Sequence, residues 1–163
     1  MARDFDRPLN GRGQKAARVM GEWMKSQSLT FDHIIASPAV RVTETLDYLA
    51  LSYGKRIEPV WERRVYLASS ATLMDVLREV SDDSRSVLMI GHNPGLEDLI
   101  LDLVPEGKDT ELRNSVYEKL PTAALVEMQI DIASWSGIER DKGTLVRFIR
   151  PRDLDPELGP EDE

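Results

Sequence analysis

Residues 84–100 read "SRSVLMIGHNPGLEDLI", and this stretch decides the fold. An unbroken apolar run, Val87 to Ile90, is bounded by polar residues, the pattern of a short strand buried on both faces of a parallel sheet. It passes through Gly91-His92-Asn93-Pro94 into Leu96, Leu99 and Ile100 at helical spacing, with Pro94 suited by its fixed φ to open the helix. A strand feeding directly into a helix is half of a βαβ crossover. Ligands in such sheets sit beyond the carboxyl ends of the strands. One of the two histidines in the chain, His92, stands at that end.

The same grammar recurs upstream. "FDHIIASPAVR" (31–41) reads as a strand ending at Ser37 followed by a helix, with the Ser37 hydroxyl as N-cap and Pro38 in the first helical position. That helix turns Leu46, Leu49 and Ala50 inward and stops at Gly54. Before it, Asn10 caps a helix whose apolar face is Ala16, Val19, Met20, Trp23 and Met24. "RIEPVW" (56–61) is extended, and residues 69–80 form a helix with Leu73, Val76, Leu77 and Val80 on one face. A further helix falls near 112–120. "TAALVEMQI" (122–130) and "TLVRFIR" (144–150) read as an antiparallel pair, joined by a polar segment with Gly137 and Gly143. Strands alternating with helices predict an α/β three-layer sandwich with a mainly parallel sheet, in a single domain over residues 1–150. Residues 151–163 are acidic and interrupted by prolines, and read as a disordered tail, above all from Asp155 onward.

Composition bounds the function. A chain of 163 residues has room for one domain with a real core. The formal charge of −8 argues against a nucleic-acid partner, because phosphate backbones need a basic surface. No apolar run approaches the ~18 residues of a membrane span. The absence of cysteine removes disulfides, thiolate metal sites and a thiolate nucleophile, and fits a cytoplasmic protein.

Two strand ends carry chemistry. Arg41 lies in the opening turn of its helix, where free backbone N–H groups and the dipole favour an anion and a guanidinium adds a fork shaped for phosphate oxygens. Taken alone it is more readily a surface arginine on a capped helix. His92 holds the equivalent position on its own strand, with Gly91 leaving room for a ligand, and an imidazole there can donate to an anionic oxygen or move a proton. Taken alone it is as readily a satisfied histidine in a tight turn. His33 starts a strand, away from that edge, and reads as structural.

Taken in order, "DFDRPLNGRGQKAA" (4–17), "SPAVRVTETL" (37–46) and "GHNPGLEDL" (91–99) resemble the histidine phosphatase superfamily, and within it the small bacterial phosphohistidine phosphatases of the SixA type. "PTAAL" (121–125) and "RFIRP" (147–151) extend the likeness over nearly the whole chain. The resemblance implies a phosphoglycerate-mutase-like fold and phosphoryl transfer through a phosphohistidine, with no metal and no cofactor. It implies as substrate a phosphorylated protein or a small phosphoester. By position it makes Arg41 the pocket arginine and His92 the supporting histidine. Arg7 becomes a candidate second arginine, Asn93 a substrate contact and Glu62 a candidate proton donor.

The family's nucleophile lies in an Arg-His-Gly or Arg-His-Ala that ends a first strand before the "RPL" segment. No histidine precedes His33 here, so the expectation is a missing first strand and no turnover by residues 1–163, with activity belonging to a longer form. Two alternatives remain open: a small-molecule phosphatase of the phosphoglycerate-mutase kind, and a non-catalytic phosphate-binding pseudoenzyme.

Overall fold

The computed structural model describes residues 3–159. In chain order it contains α1 (Gly11–Ser26), β1 (His33–Ala36), α2 (Val40–Tyr53), β2 (Val60–Trp61), α3 (Ser70–Arg78), β3 (Val87–Ile90), α4 (Gly95–Leu103), α5 (Thr110–Glu118), β4 (Leu125–Ile130), β5 (Gly143–Ile149) and α6 (Pro151–Leu154). Strands β2, β1 and β3 lie side by side in that order, all parallel, while β4 and β5 form an antiparallel pair with a bulge at Glu127/Met128. The result is the expected α/β architecture with a mainly parallel sheet.

Helices cover both faces. On one side Ala17, Met20 and Met24 of α1 pack with Leu49 and Tyr53 of α2, and Leu88, Leu125 and Ile149 reach them from the strands. On the other, Leu73, Val76 and Leu77 of α3 meet Leu99 and Leu103 of α4 over Val87 and Met89. Alternate residues of β3 therefore serve opposite helical layers, as a strand within a sandwich must. The helix ends follow their sequence signals: the Asn10 side chain accepts from the Gly13 N–H, and Gly54 closes α2 in the left-handed conformation at φ 76°.

Three expectations are corrected. All four residues of β3 are only half-buried, because among the described residues no strand pairs beyond β3 and the β4–β5 pair bonds to itself. The sheet thus comes in two parts sharing two helical layers. Helix α2 begins at Val40, not Pro38. Ser37 to Ala39 lie outside the helix, and Ser37 is fully buried at a strand end instead of capping a helix from the surface. The tail is folded through Gly159: after α6 a 3₁₀ turn spans Pro156–Leu158, Leu158 is buried, and Lys15 pairs with Glu157 at 2.6 Å and Asp155 at 3.4 Å. Proline pre-sets both turns, and Pro151, Leu154 and Leu158 supply the apolar anchors that composition alone obscured. The remaining acidic residues, Glu161 to Glu163, lie outside the described residues. No described helix is long and apolar enough to cross a membrane.

Candidate functional site

Ala36 pairs with Ile90, so β1 and β3 end level with one another. The segments leaving them are therefore brought to one place, and the Ser37 N–H donates to the Ile90 carbonyl at 3.0 Å to hold them there. Arg41, in the first turn of α2, and His92, two residues beyond β3, meet at this edge: Arg41 Nη2 lies 3.2 Å from His92 Nδ1. A guanidinium can only donate, so Nδ1 is the acceptor, and the ring proton sits on Nε2. Nε2 lies 2.7 Å from Ser37 Oγ and donates to it. Burial, then the neighbouring Arg41 charge, pushes the His92 pKa below its ordinary value. The imidazole is thus neutral at neutral pH.

What faces this pair is a carboxylate. Asp4, in a 3₁₀ turn over Asp4–Asp6, accepts from Tyr66 Oη at 2.5 Å, from Arg7 Nη2 at 2.7 Å and from Arg41 Nη1 at 3.0 Å, and Arg41 Nη1 also donates to the Asp4 carbonyl at 3.0 Å. The Tyr66 hydrogen bond, reinforced by Arg7 and Arg41, holds the Asp4 carboxyl well below the usual carboxylate range, and the Tyr66 phenol is pushed up in return. Tyr66 stands edge-on between Phe5 and His92, with centroids 5.1 and 5.2 Å away. Two guanidinium groups and a phenol thus converge on a single oxyanion beside a neutral imidazole.

Of the five residues singled out by sequence, Arg41, His92 and Arg7 come together. Asn93 does not join them. Its Nδ2 donates to the Leu120 carbonyl at 2.6 Å and ties the strand-end turn to the segment before β4. Glu62 accepts from the Arg64 backbone at 3.0 Å and from its guanidinium at 2.7 Å, which lowers its pKa. A carboxylate so held is ionised and has no proton to give. The room expected at Gly91 is filled, since a Cβ there would lie 2.8 Å from Val65 Cγ1. Asp4, Tyr66 and Ser37 were not identified from sequence. In sequence Ser37 has the pattern of a helix cap, whereas Tyr66 sits in an irregular segment with no pattern around it. No group of three or more His, Asp or Glu side chains among the described residues is placed to hold a metal.

No protein-family model matches the chain. The Mycobacterium tuberculosis protein Rv1276c is 28% identical over 150 residues, covering 91% of this chain and 92% of that protein. The phosphohistidine phosphatase SixA of Escherichia coli is 28% identical over 108 residues, covering 64% of this chain and 66% of that protein. Among solved structures, the protein histidine phosphatase SixA complexed with tungstate superposes with a TM-score of 0.76 at 22% identity, covering 95% of this chain and 91% of that one.

Proposed function

We propose that this chain, which has the fold of the SixA histidine phosphatases, is itself of the phosphohistidine phosphatase type and binds the transferred phosphoryl group at Arg41 and His92. The observation that supports it is the Asp4 carboxylate: an anion of the chain occupies a cradle of two arginines and a tyrosine at the carboxyl edge of the sheet. A tetrahedral phosphoryl group presents the same chemistry with more oxygens and more charge. Tungstate, bound by the SixA structure of the same fold, is an oxyanion of that kind. On this reading a phosphoryl group displaces Asp4, takes the Arg41 and Arg7 guanidiniums, and accepts a hydrogen bond from His92 Nδ1, which gains a proton as the anion arrives and Arg41 turns to it while Nε2 keeps its bond to Ser37. Charge neutralisation and positioning of this sort supply most of the catalysis in phosphoryl transfer. The natural substrate is then a phosphorylated protein in the cytoplasm, with small phosphoesters as surrogates.

Transfer through a phosphohistidine also needs a ring nitrogen in line with the leaving group. Both nitrogens of His92 are engaged, one by Arg41 and one by Ser37, and His33 starts β1 at its far end. Residues 1–163 therefore bind phosphate without turning over. The test assays residues 1–163 on an aryl phosphate and on a phosphohistidine peptide, alongside calorimetric binding of phosphate and tungstate. Binding without hydrolysis, weakened about tenfold or more by Arg41→Ala, is the expected result. Robust hydrolysis abolished by His92→Ala would overturn it and make His92 the nucleophile.

A further inference from the structure

A second cationic site lies at the same end of the molecule. A cavity of about 90 Å³ opens between the start of α1, the segment before β4 and the beginning of α6, lined among others by Arg12, Lys119, Thr122, Arg150 and Arg152. Four cationic side chains around one small cavity stand out in a chain of net charge −8. Their charges are unevenly compensated. Arg150 is paired with Asp153 at 2.7 Å and Arg12 donates to the neutral Gly159 carbonyl, while Arg152, half-buried in α6, has no carboxylate within salt-bridge distance among the described residues. Asp155 and Glu157 are drawn instead to Lys15 on the exposed side of α1. Like charges gathered about one cavity repel one another, and an anion bound among them relieves that repulsion.

We propose that this cavity is a second anion-binding site, separate from the one at Arg41, which takes the carboxylate or phosphate of an acidic ligand between Arg12 and Arg152. Its position couples it to the first site. Leu120, flanked by Lys119 and by the cavity residue Pro121, accepts the hydrogen bond of Asn93, the residue after His92. Leu9, just before α1, donates its N–H to Glu44 in the helix that carries Arg41.

The experiment titrates inorganic phosphate and, separately, N-acetyl-triglutamate into the full chain, its Arg41→Ala variant and its Arg152→Glu variant, using calorimetry at low salt. The site predicts residual binding of at least one probe in Arg41→Ala, weakened about tenfold or more when Arg152→Glu is added. Phosphate favoured over the peptide identifies a free oxyanion as ligand, and the reverse identifies an acidic polypeptide. Arg12→Gln, an exposed substitution, gives the same loss should Arg152→Glu fail to fold, and circular dichroism shows which variants are folded. No residual binding in Arg41→Ala, or residual binding untouched by both cavity variants, overturns the proposal. Failure of the Arg41 site alone looks different: the wild-type chain then binds one anion, lost on Arg152→Glu and kept in Arg41→Ala.

Discussion

Asp4 makes the site at the scale of single residues. Its carboxylate holds Arg41, Arg7 and Tyr66, so an incoming oxyanion must compete with it. Asp4→Asn removes the competing charge and should tighten tungstate binding several-fold in a calorimetric titration, whereas unchanged or weaker binding would show that Asp4 organises the cradle instead of filling it. His92 sets the pH behaviour. Its folded pKa lies below the unfolded value near 6.5, so between those values the unfolded chain carries a proton that the folded chain lacks. Stability therefore falls as pH drops from 7 toward 5, and His92→Asn should flatten that slope in denaturant titrations. A bound anion raises the His92 pKa, so sulfate, whose own charge is constant in this window, should bind more tightly at pH 5.5 than at pH 7.5. Arg41 and His92 were legible in the sequence because strand ends fix their place in any parallel α/β sheet. Asp4 and Tyr66 were not, since 62 residues separate them and neither lies in a periodic segment.

At the scale of elements, helices were legible wherever an apolar stripe coincided with a cap. The Leu73, Val76, Leu77 and Val80 stripe is buried as its spacing requires, and the Ser69 hydroxyl accepts from the Thr72 N–H at its head. Strand β3 shows the limit of that reasoning. Val87 to Ile90 are apolar enough for a strand buried on both faces, yet burial along its edge depends on a neighbouring strand, which local pattern does not report. The tail shows the converse, because three apolar anchors outweigh an acidic, proline-interrupted composition once α1 offers a surface. Deleting residues 156–163 exposes the Leu158 contact and cuts the Lys15–Glu157 pair. It should cost about 1–3 kcal/mol in urea unfolding, most of it from the leucine. A cost near zero would show that the 3₁₀ turn only rests on α1.

At the scale of the whole molecule, two helical layers and two sheet segments bring the carboxyl edges of β1 and β3, the start of α1 and the segment before β4 to one end. Both cationic sites lie there, on an otherwise acidic protein. Sequences that share about a fifth to a quarter of their residues can specify the same packing, but they need not preserve the same site, so function rests on that end of the fold. The central claim is that Arg41 and His92 receive an oxyanion, and with only two histidines in the chain it can be read directly. The measurement is the ¹⁵N NMR spectrum of the imidazole nitrogens during a tungstate titration, in the wild-type chain and in Arg41→Ala. The expected result is a saturable shift of the His92 nitrogens, with those of His33 unmoved, and its loss in Arg41→Ala. A His92 signal that stays in place at saturating tungstate, or that shifts equally without Arg41, would contradict the assignment.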